Sequence, residues 1–199
     1  MARRGNSIST MDLVSTVSKI SQENIEAVEK VISKLSETQL KWRPNPGIWS
    51  ISDVLAHLNT YTRYYHPVFQ RKIESTRFRS PNEEFMSSPL GRSAWKSMKL
   101  GNAKNIKRKF RARKGYNPLF DKDLHRQDDM SFFKDSQSEL VSIAESALTV
   151  NMRKVKIPIS ISKIVRLRLG DALLFIAYHN QRHMQQILNL KRHPNFPKK

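Results

Sequence analysis

Apolar residues recur at three- and four-residue steps in four stretches of the chain, a spacing that places them along one side of an α-helix. The four stretches are residues 10–36, 50–73, 130–151 and 171–190. Polar and charged residues fill the positions between the apolar ones, as they do on a solvated helix face. The pattern therefore predicts four amphipathic helices, which we number in chain order in this subsection.

The segments between these stretches contain helix-breaking residues. Residues 40–49 carry two prolines and a glycine, which predict a rigid turn. Residues 75–127 are repeatedly interrupted by proline and glycine, so we expect a long irregular connection there. Residues 156–162 alternate like a short extended stretch. Within the second helix, Pro67 is expected to kink or end the regular part and to bias His66 towards extended geometry.

Four amphipathic helices with one long connection between the second and third predict an all-α four-helix bundle. At 199 residues, one domain spanning residues 1–199 is the default expectation. The sequence has no cysteine, which excludes disulfides, thiolate metal ligands and a cysteine nucleophile. It also has neither an apolar run of about 20 residues nor an apolar signal segment. We therefore expect a cytoplasmic protein that does not span a membrane.

The charge is strongly basic, with 36 lysines and arginines against 17 acidic residues and a net charge of +19. More than half of the excess lies in residues 76–115, and residues 92–114 contain ten basic and no acidic residues. Such a run suits nucleic-acid or phosphate binding, a basic rim that attracts an anionic substrate, or solubility alone. Nucleic acid is not favoured, because aromatic residues are sparse in the run and no nucleic-acid-binding motif accompanies it.

The fourth helix carries the clearest chemical signal, the pair His179 and His183. Residues four apart on a helix lie one above the other, so both imidazoles can point at one metal ion. In a zinc protease helix of this spacing, glutamate follows the first histidine and acts as the base. Here that position is Asn180, which cannot accept a proton at neutral pH, and we exclude that class.

His57 on the second helix lies beside apolar positions and is the candidate third ligand. Three imidazoles with an open position are typical of a catalytic zinc site, and nickel and iron also accept imidazole. The alternative for each is a buried histidine that is hydrogen-bonded in the core. The other three histidines lie in or next to irregular segments and are expected to be solvent-exposed: His66, His125 and His193.

Four further residues are expected to have packing or pairing roles. Asp53 is expected to be a helix-start acid that pairs with Arg182; the alternative is that it orients an imidazole or supplies a fourth ligand. We expect Gln186 to form a hydrogen bond between helices. Trp42 and Trp49 are expected to be packing anchors rather than a stacking platform.

Three segments resemble a known family, the DinB/YfiT-like metal-binding bundles, and in particular the DinB-like domain. They are LKWRPNPGIWSISDVLAHL at residues 40–58, YHPVFQRKI at 65–73 and LGDALLFIAYHNQRHMQQI at 169–187. The tryptophan–serine start of the second helix and the His-x-x-Arg-His-x-x-Gln of the fourth are specific in combination. With the four helices, the resemblance covers the chain from about residue 10.

The resemblance implies an up-down-down-up bundle with its long crossover between helices 2 and 3. It also implies a divalent metal, zinc or nickel, held by His57, His179 and His183. Relatives include transferases that use low-molecular-weight thiols, so we expect a thiol S-transferase or a hydrolase acting on a small molecule, a thiol or an anion. Homodimers are frequent in the family. The alternative is a non-catalytic bundle that binds anions or nucleic acid through residues 92–114.

Overall fold

The computed structural model describes residues 7–103, 105–106 and 110–198, and for Lys163 the main chain alone. Within these ranges the chain is mostly helical, as predicted. The α-helices are α1 (Thr10–Lys30), α2 (Glu37–Lys41), α3 (Ile51–Ser75), α4 (Pro89–Met98), α5 (Asp129–Ser146) and α6 (Leu169–Lys191). The strands are β1 (Ser7–Ser9), β2 (Glu84–Met86), β3 (Lys156–Ile159) and β4 (Ser162–Arg168).

Helix α1 is shorter than the apolar pattern predicts. It begins after Ser9, whose side chain accepts hydrogen bonds from two main-chain amides of the first turn. It ends at Lys30 rather than near residue 36, and a 3₁₀ turn at Ile32–Lys34 follows. Ser36 and Gln39 then form a complete capping box. Because such a box satisfies the free amides of a new helix start, it separates α2 from α1.

Helix α3 begins at a second capping box, formed by Ser50 and Asp53. The prediction that Pro67 ends the regular part of this helix is wrong, since the helix continues to residue 75, whereas the predicted kink stays a prediction. The prediction for His66 is wrong as well, because the residue is helical and only 2% exposed. Its Nδ1 lies 2.7 Å from the Glu139 carboxylate. Burial of the apolar residues on both sides of the proline outweighs the one helical hydrogen bond that proline removes.

The other two histidines expected at the surface are both partly buried. His125 lies 3.1 Å from the Asp53 carboxylate and keeps 34% of its side chain exposed. The His193 ring packs against Trp42, with 5.2 Å between the ring centroids. In both cases a residue that is distant in the sequence but close in space determines how much of the histidine side chain is exposed.

Residues 75–127 contain regular structure that the sequence analysis did not predict, namely β2, α4 and short 3₁₀ turns. Pro89 occupies the first turn of α4, where its missing N–H costs nothing, so it starts the helix instead of breaking it. The Ser88 hydroxyl accepts from the Gly91 amide. Ser88 also donates its amide and hydroxyl to the Asp171 carboxylate at 3.0 Å each, which fixes α4 on α6.

The strands form two antiparallel pairs. β1 pairs with β2, opposing Ile8 and Phe85, and so attaches the start of the described chain to the long connection. The extended stretch predicted at 156–162 is the first half of the β3–β4 hairpin, which continues to Arg168. Helix α5 ends at Ser146 and a 3₁₀ turn replaces the expected last helical turn.

The four long helices pack against each other, with α1 and α3 each contacting both α5 and α6, while α4 packs on α6. Apolar side chains form two clusters along these interfaces. Three buried amide side chains also connect α1, α5 and α6. Gln137 on α5 accepts from Asn24 on α1 at 3.0 Å and from Asn180 on α6 at 3.4 Å. Among the helices in the described ranges, none has the length and apolar character needed to cross a bilayer.

Gly91 provides a test of how α4 packs on α6. A Cβ atom at this position would lie 2.0 Å from Asp171 Oδ2 and 2.5 Å from Asp171 Cβ, and the carboxylate is fully buried. Gly91→Ala should therefore lower the free energy of unfolding by about 1–3 kcal/mol, although alanine ordinarily stabilises a helix. Urea denaturation measures the change. Gly47→Ala is the control, because only Asn45 Oδ1, at 3.6 Å, lies near its Cβ. Equal stability of Gly91→Ala and wild type would contradict this packing.

Candidate metal centre

Three histidines converge between α3 and α6. His57 Nε2 lies 3.3 Å from His179 Nε2, and one ring nitrogen from each of His57, His179 and His183 lies within 4.8 Å of the others. The His183 ring centroid is 4.7 Å from that of His57 and 4.6 Å from that of His179. The structure thus brings together all three histidines that the sequence analysis selected as candidate ligands.

The helical register explains the convergence. His179 and His183 are one turn apart on α6, so their side chains project from the same side of the helix. His57 lies in the second turn of α3, on a stretch that is buried from Val54 to Asn59. Because α3 and α6 are in contact, the buried side of α3 faces the two imidazoles of α6.

The orientation of His57 is set by a main-chain carbonyl. Its Nδ1 lies 2.6 Å from the carbonyl oxygen of Tyr116, in a 3₁₀ turn at Lys114–Tyr116. A carbonyl can only accept, so Nδ1 carries the proton and Nε2 keeps a free lone pair towards the other histidines. This contact could not be predicted from the sequence, because a main-chain acceptor has no residue signature.

His183 is oriented by its own helix. Its Nδ1 donates to Gln186 Oε1 at 3.0 Å, which leaves Nε2 as the free acceptor. Gln186 therefore bonds within α6, and the expected hydrogen bond between helices is wrong. The three-residue spacing of the two side chains is the signal that could have identified the contact. His179 Nδ1 is buried and has no hydrogen-bond partner in the described part of the chain.

Aromatic side chains surround the imidazoles. The ring centroid of Trp49 lies 4.6 Å from that of His57, and the Tyr61 centroid lies 4.3 Å from that of His179. Phe175 stacks on His179 with a centroid separation of 5.8 Å and an interplanar angle of 22°. These rings limit the access of water to the nitrogens, which strengthens any electrostatic interaction made there.

Trp42 and Trp49 both pack against one of the two apolar clusters, as predicted. Trp42 also contacts Phe196 edge to face, with ring centroids 5.4 Å apart. Trp49 has a second role that the prediction lacked. Its indole N–H donates to Asn117 Oδ1 at 3.0 Å, and its ring stacks on that of His183. Trp49 therefore links residues 75–127 to the histidine cluster.

Burial keeps the three imidazoles unprotonated at neutral pH. It lowers the pKa of His57 to about 4, although the hydrogen bond to the Tyr116 carbonyl acts in the opposite direction. Burial also lowers the pKa of His179 and His183 well below the ordinary value, and the neighbouring imidazoles lower both further. Burial raises the pKa of Tyr61, so this phenol stays neutral and cannot act as a base at pH 7.

The donor set fits a divalent metal ion. Neutral imidazole is the form that binds zinc, nickel and iron. Two nitrogens that are each 2.0–2.1 Å from a tetrahedral zinc lie roughly 3.3–3.4 Å apart, and the two Nε2 atoms of His57 and His179 are at 3.3 Å. The hydrogen-bonded Nδ1 atoms of His57 and His183 match the usual outer contacts of metal-bound histidine.

Asp53 does not contact the histidine cluster through any hydrogen bond or ion pair in the described residues. Its carboxylate accepts from Ser50 and pairs with Arg43 at 2.9 Å and with His125 at 3.1 Å. The helix-start role was predicted correctly, whereas the predicted partner, Arg182, was wrong. The carboxylate is paired instead with Arg43, which lies in the turn before α3.

The basic run at 92–114 lies partly outside the described residues, which omit Lys104 and 107–109. Its described end is close to the histidine cluster. The Phe110 ring lies 5.3 Å from the guanidinium carbon of Arg182 on α6, and Tyr116, two residues beyond the run, supplies the carbonyl that accepts from His57. The connection that carries more than half of the excess positive charge therefore contacts the centre.

The comparison with protein families decides the relationship. The model of the DinB superfamily matches residues 22–187, which include all three histidines and most of the described helices. The protein belongs to the DinB superfamily. The resemblance read from the three sequence segments is thus confirmed. No curated protein and no solved structure matches the chain significantly.

The lowered pKa of His57 predicts acid sensitivity of this DinB superfamily protein without metal. The unfolded chain binds a proton at His57 below about pH 6.5, whereas the folded chain does so only near pH 4. Stability due to this residue is thus full above pH 6.5 and falls as the pH decreases towards 4, by on the order of 3 kcal/mol.

Urea unfolding of the chelator-treated protein between pH 7.5 and 4, as a pH series of about six points, measures this loss. His57→Gln should show a smaller loss over the same range, because glutamine does not titrate but still offers an N–H to the Tyr116 carbonyl. The same pH dependence in both proteins would contradict the assignment.

Proposed function

We propose that His57, His179 and His183 bind a divalent metal ion, zinc or nickel, and that the protein is a metal-dependent enzyme. The reaction proposed is thiol S-transfer or hydrolysis. One observation carries the proposal: three neutral imidazoles from two helices meet within 4.8 Å, and two of them have Nδ1 occupied by a hydrogen bond. Membership in the DinB superfamily supports it.

The chemistry follows from the ligand count. A metal ion held by three protein ligands would keep one coordination position open. A water or thiol bound at that position would have its pKa lowered, because the metal acts as a Lewis acid. The protein's own residues would hold the imidazole nitrogens in place and exclude water from them. The Tyr116 carbonyl and the Gln186 amide fix two rings, and the aromatic rings of Trp49 and Tyr61 cover them.

The substrate class proposed is a small molecule, either a low-molecular-weight thiol or an anion. A thiol must come from the substrate, because the chain has no cysteine. The basic run at 92–114 would attract an anionic co-substrate towards the centre, since Phe110 within the run contacts Arg182 on α6 and Tyr116, two residues beyond the run, contacts His57. The alternative, a non-catalytic bundle that binds anions or nucleic acid, rests on the same charge without the histidines.

Several finer expectations accompany the proposal and stay predictions: the up-down-down-up order of a four-helix bundle, a single domain over residues 1–199, a homodimer and a cytoplasmic location. They derive from the helix pattern, the chain length and the family. Analytical ultracentrifugation tests the homodimer.

Metal analysis is the first test of the proposed function. The purified protein, loaded with zinc or nickel and freed of excess metal, should retain about one ion per chain. His57→Ala should retain much less, because two ligands remain. Inductively coupled plasma mass spectrometry measures the content. His193→Ala is the matched control, since this histidine lies outside the cluster and contacts Trp42.

Two outcomes would contradict the proposal. One is a wild-type protein that retains no metal after loading. The other is equal metal retention by wild type and His57→Ala. Salt-dependent binding of DNA or RNA that survives His57→Ala would instead support the alternative function.

Gln186 provides a second test, because it orients His183 without binding metal itself. Gln186→Leu removes the acceptor for Nδ1 and should weaken zinc affinity by about 10–100-fold, the usual effect of losing such a partner. A competition titration with a chromophoric chelator measures the affinity. Gln185→Leu is the control on the same helix, since that side chain bonds Asn189 instead. Equal affinity of the two variants would show that Gln186 does not orient a ligand.

A further inference from the structure

An apolar cavity of about 130 Å³ adjoins the histidine cluster. It is enclosed by α3, α4, α6 and the β3–β4 hairpin. The residues that line the cavity include Tyr61, Leu90, Ala94, Ile161, Val165 and Phe175. Elements from distant parts of the sequence thus form one concave surface, which is the usual construction of a small-molecule site.

Two aromatic rings belong to both the cavity and the centre. Tyr61 and Phe175 line the cavity, and their ring centroids lie 4.3 and 5.8 Å from that of His179. The cavity and the histidine cluster therefore share these two side chains and are direct neighbours. At the other end, Leu90 and Ile161 are 55% and 40% exposed, so the cavity opens to solvent there.

The cavity wall carries no charged group among its lining residues. The Tyr65 hydroxyl accepts from the Ser160 amide at 3.2 Å, and burial raises the pKa of Tyr61 and of Tyr65, so both phenols are neutral. A charged or strongly hydrated group would lose water in this space without gaining a partner. The wall therefore selects for an apolar occupant.

The volume limits the size of that occupant. A dry cavity of about 150 Å³ lined by similar side chains binds benzene. A space of about 130 Å³ thus accommodates one six-membered ring or a branched alkyl group of roughly four to six carbons. A long acyl chain or a fused ring system would not fit inside it.

We propose that the substrate carries a compact apolar group, aromatic or branched aliphatic, that fills this cavity while its reacting end lies at His57, His179 and His183. The inference rests on the proposed function for the reacting end only. It adds a specificity site formed by α4 and the hairpin, in which Ala94 provides the room because its side chain is small.

The test compares two thiols that differ only in the apolar group, phenylmethanethiol and ethanethiol. Isothermal titration calorimetry on the metal-loaded protein should show that phenylmethanethiol binds at least about tenfold more tightly, because the ring buries additional apolar surface. Ala94→Phe fills the cavity and should remove this preference. Ser93→Phe is the matched control, because the neighbouring side chain on α4 is exposed and the preference should persist.

A second measurement on the wild type does not depend on the folding of a variant. Nuclear Overhauser contacts from the phenyl protons of phenylmethanethiol should reach the methyl groups of Ala94 and Val165. Equal affinity for the two thiols, a preference that survives in a folded Ala94→Phe, or contacts to other methyl groups would each overturn the inference.

The outcomes separate the two proposals. Metal content is measured in the same samples. A protein that retains no metal but still binds the phenyl group at Ala94 and Val165 contradicts the proposed function and leaves the cavity inference standing. A protein that retains metal and shows no preference between the thiols contradicts the cavity inference alone.

Discussion

The burial of polar groups on α6 is the constraint on which the rest of the structure depends. A buried polar side chain that lacks any partner is costly, and four such side chains on α6 each contact another element of the chain, although Nδ1 of His179 has no hydrogen-bond partner in the described residues. The partners come from the start of α4, from α3, from α5 and from the long connection, and together they surround the helix. The buried polar side chains concerned are Asp171, His179, Asn180 and Arg182.

The long helices were predictable because their apolar period is a local property of the sequence. Where the prediction failed, either a spatial neighbour outweighed a local rule or the wrong local rule was applied. Pro67 remains inside α3 because the residues around it are buried, and Pro89 begins α4 because proline suits a first turn. His66 is buried because Glu139, 73 residues away, supplies its partner. No local pattern contains that information.

The candidate site was likewise predictable from the sequence only in part. The pair His179 and His183 follows from helical spacing alone, whereas the choice of His57 needed the family resemblance as well. The groups that orient the rings were missed or assigned other roles. Gln186 had a sequence signal, its position one turn after His183, but the Tyr116 carbonyl had none, since every residue carries a carbonyl.

That carbonyl has a consequence for how the sequence can vary. Since the contact with His57 uses a main-chain atom, the imidazole keeps its acceptor whichever side chain replaces Tyr116, provided the backbone path is kept. What the contact constrains is the backbone of the 3₁₀ turn at Lys114–Tyr116, which must keep the same peptide group opposite the ring. The backbone conformation of this turn, rather than its side chains, is therefore the property that sequence variation would have to preserve.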